Sequence, residues 1–168
     1  MAKPVPERLE LASYFLTFET APRFGDLDPL RHLNNAALVR IYEDARVRFL
    51  DGSGVREAWE PHCRFVVAEM AIQYLAEGGY PDPLSVGSGV LRIGRSSFTL
   101  AQGLFQNGRC IGVGDTTMVY VDTVAEAPRA LPEAARARLD TTAMRVGFIR
   151  SAPRSPDART SEADFENA

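Results

Sequence analysis

The chain has 168 residues, 45% of them hydrophobic, and a net charge of −3 at pH 7; that fits one domain with a real core and excludes a disordered protein. Its 19 basic residues, almost all arginine, are scattered along the chain, which argues against a nucleic-acid partner. No apolar run reaches the ~20 residues of a membrane span. Met1 to Leu9 carries no apolar leader, and the two cysteines, Cys63 and Cys110, make no disulfide framework, so a reducing cytoplasm is expected.

Residues 1–10 read as a lead-in. Residues 11–20 are rich in aromatic and β-branched types and read as a first strand, closed by Pro22. A polar loop follows at 24–35. From Ala36 to Asp51 the period becomes helical, with Leu38, Ile41, Tyr42, Ala45 and Phe49 on one stripe. Arg40–Asp44 and Asp44–Arg48 have the spacing of i,i+4 ion pairs. A connection at 56–62 leads to a strand from Arg64 to Ala76, in which Val66, Ala68, Met70, Ile72, Tyr74 and Ala76 share one wholly apolar face. Gly78, Gly79, Pro81 and Pro83 make a turn.

Three strands come next, at 84–93, 97–106 and 109–121. The last two are joined by Asn107-Gly108, a strong hairpin signal because both residues tolerate positive φ. Glycines at 87, 89, 103, 112 and 114 fall inside strands and imply bulges, curvature or close approach. A short helix is expected over Pro132–Leu139 with Pro132 in first position. Residues 141–168 are expected to be a C-terminal tail, mostly disordered. The fold expected is α+β: a curved five-stranded, mostly antiparallel sheet over residues 11–140, wrapped round one long helix.

The polar loop carries the chemistry. Phe24-Gly25-Asp26-Leu27-Asp28-Pro29-Leu30-Arg31-His32-Leu33-Asn34-Asn35 runs straight into the helix. A helix start exposes unpaired N–H groups and partial positive charge, which suits a carbonyl oxygen turning into an oxyanion. An acid beside it can attack the carbonyl or activate water. That points to acyl transfer to water. Asn34 or Asn35 can cap the helix. Asp26 reads as a turn residue, and Asp28 as either a turn residue or the acid. His62-Cys63 does not make a nucleophilic pair, because neighbours on a strand face opposite ways. No spaced His/Cys/Asp cluster suggests a metal, and none is expected.

The pattern Asp-x-Asp-x-x-x-His-Leu-Asn-Asn, followed by Ile41-Tyr42-Glu43-Asp44-Ala45-Arg46, resembles the 4-hydroxybenzoyl-CoA-type acyl-CoA thioesterases of the hotdog fold. The likeness runs over roughly 12–140 and continues in Ile93-Gly94-Arg95-Ser96-Ser97-Phe98 and Thr116-Thr117-Met118-Val119-Tyr120. The layout is also similar to the plant-type acyl-carrier-protein thioesterases. The resemblance implies hydrolysis of an acyl-CoA or acyl-carrier-protein thioester. Asp28 would be nucleophile or general base, with His32, Asn34 and Asn35 in the same site. It also implies coenzyme A phosphate contacts at Arg95 and Ser97, and Glu43 as the fallback acid. Coenzyme A enters as part of the substrate, and no other cofactor is expected. Neither a membrane nor a nucleic acid is an expected partner. A homodimer or homotetramer is, with sites at the subunit boundary. Arg31 stands where the family commonly has Gly, and could supply a charge to the substrate. Two other readings stay open: a hotdog hydratase or dehydratase acting on an enoyl-CoA, and a non-catalytic acyl-CoA-binding hotdog protein.

Overall fold

A computed structural model describes residues 3–145 and a short strand at Ile149–Arg150. One long helix, α1 (Asn35–Gly52), lies in a curled sheet formed by β1 (Leu16–Thr20), β2 (Cys63–Tyr74), β3 (Leu84–Ile93), β4 (Ser97–Gln106) and β5 (Arg109–Asp122). The order across the sheet is β1-β3-β4-β5-β2, and every neighbouring pair is antiparallel. This is the hotdog arrangement expected from the sequence. Two short strands extend it: β6 (Ala127–Pro128) on β5, and β7 (Ile149–Arg150) parallel to β3. A second helix, α2 (Glu133–Thr141), closes one end. Pro132 is its N-cap, one position before the first-turn place expected, because its extended ψ of 146° keeps it outside the helix.

The helix is held by the stripe read from its period. Leu38, Tyr42, Ala45 and Phe49 are buried, and Ile41 is half-buried. The Tyr42 ring lies against Gly112 and Gly114 on β5; a Cβ at Gly112 would come within 2.9 Å of the Tyr42 hydroxyl. Gln102 reaches from mid-β4 and donates from Nε2 to the Tyr42 carbonyl at 3.0 Å, tying the middle of the helix to the middle of the sheet. Below it, Phe49, Phe65, Phe98 and Tyr120 form one apolar cluster. Above it, Tyr42, Leu84, Val86 and Leu104 form another.

On the convex face the chain covers itself. Residues 11–13 form a 3-10 turn rather than strand, so β1 begins only at Leu16. Tyr14 instead lays its ring over Gly87 and Gly103, which face each other across the β3–β4 pair; a Cβ at either would sit 2.5–2.6 Å from that ring or its hydroxyl. The Tyr14 hydroxyl donates to the Arg8 carbonyl at 2.9 Å. Arg8 is itself buried: its Nη2 lies 2.8 Å from Asp115 Oδ1 and donates to the Gly114 carbonyl at 3.1 Å. The lead-in is therefore anchored to the sheet at Arg8.

Three further expectations are corrected. The apolar alternation of β2 breaks at a bulge between Val67 and Glu69, so Cys63 and Phe65 face the core before it and Met70 and Ile72 after it. One continuous apolar face does not exist, because the extra residue shifts the pleat by one. Asp44 pairs with Arg48 as spaced, at 2.9 Å, but Arg40 turns away to Asp26 at 3.1 Å. Past residue 140, Thr142 and Met144 are buried, and backbone bonds join Val90 N to the Thr142 carbonyl and Met144 N to the Val90 carbonyl. The start of the expected tail is thus part of the fold, with Met144 in contact with Gly89. Residues 151–168 lie outside the described residues.

Burial raises the Tyr14 phenol from 10 to about 12 against the pull of Arg8, and burial raises Tyr42 as well. Above pH 10 the unfolded chain sheds these protons while the folded chain keeps them, so stability is full below pH 10 and falls as pH climbs towards 12. Thermal melts across that window should show a falling midpoint. In Tyr14→Phe the midpoint should start lower at neutral pH and fall less steeply. A Tyr14→Phe slope equal to that of the parent would contradict the burial argument.

Candidate active site

The loop before α1 folds as a miniature hairpin. At its base Asn34 N donates to the Asp26 carbonyl at 2.8 Å, Leu27 bridges Leu33 on the next rung, and Asp28 N donates to the His32 carbonyl at 2.9 Å near the tip. The turn is closed by Arg31 N on the Asp28 carbonyl at 2.9 Å. Arg31 adopts a φ of 66°. That is the left-handed conformation a glycine would take freely, so the arginine keeps the loop shape at a local cost of about 1–2 kcal/mol.

The two loop acids are used differently. Asp26 is fully engaged: Oδ2 accepts from Arg23 N at 2.8 Å and Oδ1 pairs with Arg40 at 3.1 Å. Asp28 is half-buried, and one oxygen, Oδ1, accepts from Leu30 N at 2.8 Å and His32 N at 3.0 Å. Its Oδ2 has no partner among the described residues. The turn reading and the acid reading of Asp28 are therefore compatible, since one oxygen shapes the loop and orients the other.

Asn34 caps α1, its Oδ1 accepting from Ala36 N at 2.8 Å. Asn35 is the first helical residue and exposed. Asp28 stands two rungs from the helix start, about 7 Å along the hairpin at ~3.4 Å per residue. His32 sits beside it with Nε2 3.2 Å from Glu77 Oε2, on the loop between β2 and β3. Glu77 was not read from the sequence as a site residue. Its position before Gly78-Gly79 marks a turn but carries no signal of which loop it meets.

Of the remaining candidates only Arg31 lies in the same loop. Glu43 is exposed on α1 and 3.6 Å from Arg46, whose buried guanidinium is shifted down by desolvation. Arg31 is exposed at the hairpin tip and makes no ion pair among the described residues. Arg95 and Ser97 occupy the β3–β4 turn, where Gly94 N donates to the Ser97 carbonyl and Leu131 N to the Arg95 carbonyl. β3 starts beside the acid loop, where Leu84 and Leu33 share one cluster, and ends at this turn, so a strand of ten residues, about 30 Å long at ~3.3 Å per residue, runs between the two. Within one chain the structure brings together Asp28, His32, Asn34 and Asn35, and leaves Arg95 and Ser97 at the far end. An open groove of about 440 Å³ runs beside the helix start, on the Asp26 side, between Thr20, Arg23, Arg40 and Asp44.

Residues 22–139 match the pattern of the thioesterase-like superfamily, which takes in the acid loop, α1 and all but the first of the five main strands. The chain belongs to that superfamily. A thioesterase from Thermus thermophilus, complexed with coenzyme A and Zn, is 32% identical over 77% of this chain and 95% of its own, with a TM-score of 0.67. A thioesterase-superfamily protein from Jannaschia sp. CCS1 is 28% identical over 75% of this chain and 81% of its own, also at 0.67. The PA5185 protein of Pseudomonas aeruginosa PAO1, 23% identical over 81% of this chain and 96% of its own at a TM-score of 0.71, is similar in fold. No curated protein matches the sequence.

In this superfamily loop the strained φ of Arg31 is testable. Arg31→Gly removes the left-handed penalty while adding glycine's unfolded-state entropy, so urea unfolding should show equal or higher stability, by up to about 1 kcal/mol. A loss of stability would mean that the arginine side chain holds the tip.

Proposed function

We propose that this chain is a cytoplasmic thioesterase that hydrolyses an acyl-CoA, in the manner of the 4-hydroxybenzoyl-CoA-type enzymes its loop resembles. The observation that carries the reading is Oδ2 of Asp28: of the two loop acids, it alone keeps an oxygen without a partner among the described residues, on an oriented carboxylate. Asp28 adds to the thioester carbon, or takes a proton from a water that does. The carbonyl electron pair moves to oxygen, and first-turn amides of α1 receive that charge. Collapse expels the thiolate, which leaves readily without a dedicated acid. Direct attack leaves an acyl-aspartate for water to open; the water route gives the acid at once. His32, held by Glu77, orients the substrate beside Asp28. Glu43, exposed and next to Arg46, remains the fallback acid.

Coenzyme A as the thiol is supported by the Thermus relative, which holds it. An acyl carrier protein presents the same thioester and is the second donor class. The far placement of Arg95 and Ser97 favours a site shared by two copies. β2 is an edge strand with Val67 and Tyr74 exposed. Its Tyr74 end lies towards the acid loop and its Cys63 end towards the β3–β4 turn. Two copies joined antiparallel along β2 reverse these ends, so the β3–β4 turn of one reaches the acid-loop end of the other. Arg95 and Ser97 then serve the phosphates of a coenzyme A whose acyl end reaches the other copy's Asp28.

Thiol release from a panel of aromatic, short-chain and long-chain acyl-CoAs tests the reading. Asp28→Asn should lower kcat/KM by about 100-fold or more, while Asp26→Asn stays within about tenfold. Hydrolysis by Asp28→Asn within about tenfold of the parent would remove Asp28 from the chemistry. Sedimentation should return a multiple of the 18.4 kDa chain mass, and Val67→Lys on the edge should shift it towards monomer with loss of turnover. A fully active monomer would refute the shared site.

A further inference from the structure

The acid loop does not stand alone on α1. It rests on the loop between β2 and β3 at three points: Phe24 meets Tyr80 edge to face at 6.0 Å, His32 meets Glu77 at 3.2 Å, and Leu33 N donates to the Gly78 carbonyl at 2.8 Å. Gly78 is buried, and a Cβ there would fall 2.9 Å from the Leu33 side chain and 2.7 Å from Ile111, so the two loops touch backbone to backbone.

That second loop has no regular structure of its own across 77–83. It is held by one buried side chain. Gln106, the last residue of β4, accepts at Oε1 from Gly79 N at 2.8 Å, and its Nε2 donates to the Gly79 and Asp82 carbonyls, each at 2.8 Å. Asn107, in the hairpin turn beside it, adds a bond from Nδ2 to Asp82 Oδ2 at 2.8 Å. A rigid strand end thus grips the 77–83 loop by three side-chain bonds, and that loop carries the hairpin that bears Asp28 and His32.

From this chain of contacts we infer that Gln106 is a positioning residue for the reaction. It touches neither Asp28 nor substrate; it sets the platform that fixes where the acid loop stands. A carboxamide suits the place because it accepts on one side and donates twice on the other. A misplacement of about 1 Å at a reacting group costs on the order of 100-fold in rate, so a platform this specific acts on turnover more than on binding. The inference rests on the thioesterase reading above.

The experiment measures acyl-CoA hydrolysis by the full chain as Gln106→Ala, Asp28→Asn and the double variant, with circular dichroism and a melt to establish folding. Gln106→Ala should lower kcat by about 10- to 100-fold with KM changed less than threefold. In the Asp28→Asn background the same change should have little further effect, because both act through one group. Where Gln106→Ala does not fold, Gln106→Glu carries the test: it keeps the acceptor for Gly79 N, loses both donors, and should show the same fall in kcat. An unchanged kcat in the folded variant, or a full additive loss in the double variant, overturns the positioning role. If Asp28→Asn itself hydrolyses normally, the thioesterase assignment of Asp28 fails instead, and the two failures are read separately.

Discussion

The position of α1 on the sheet is the constraint from which the rest follows. A helix laid across a curved sheet can slide or roll unless something fixes its middle. Here the Tyr42 ring fits over two glycines of β5, and Gln102 donates to the Tyr42 carbonyl from the neighbouring strand. A side chain larger than hydrogen at Gly112 would lift the ring off the sheet. With the helix centre pinned, its start at Asn35 and the hairpin that runs into it have a defined place relative to β3 and β4. The glycines are the converse of a packed core: surface is withheld so that an aromatic ring can come close. The convex face uses the same device, with Tyr14 over Gly87 and Gly103.

Most of this could be read from the chain because local signals and tertiary placement agree. The β4–β5 hairpin is fixed by Asn107 and Gly108, which take φ of 51° and 74° as a two-residue turn of this hand requires. α1 is fixed by its stripe and its Asn34 cap. The misreadings fall where tertiary contacts override local pattern. Residues 11–13 have strand composition, but Tyr14 is drawn to the glycine pair and the chain turns before pairing starts. The β2 alternation was legible, yet a bulge carries no composition signal, and one extra residue reverses which side chains face inward. Thr142 and Met144 sit in a polar segment but find β3 uncovered beyond the end of β1.

The site was legible in kind more than in detail. That Asp26, Asp28, His32 and Asn34 share a loop at a helix start follows from sequence distance alone. Which acid is free does not. The resemblance singles out Asp28, but only the fold shows the Arg23 amide and the Arg40 guanidinium taking up both oxygens of Asp26. Glu77 and Gln106 were out of reach for a different reason: they lie tens of residues from the acid loop, and turn-forming composition says nothing about what a turn touches. Arg31 is intermediate. It stands where the resemblance places a glycine, and its φ of 66° is the left-handed conformation that a glycine takes freely.

The separation between Asp28 and the β3–β4 turn bears on how such a fold can hold a long substrate at all. Within one chain the proposed acid, Asp28, and the proposed phosphate contacts, Arg95 and Ser97, lie at opposite ends of the sheet. The antiparallel joining along β2 proposed above would bring unlike ends of two copies together and add backbone hydrogen bonds to an edge that is unpaired among the described residues. The bulge in β2 switches the pleat midway, so Met70 and Ile72 pack on the core at the acid-loop end while Val67, Ala68 and Glu69 are exposed on the strand proposed to meet a second copy.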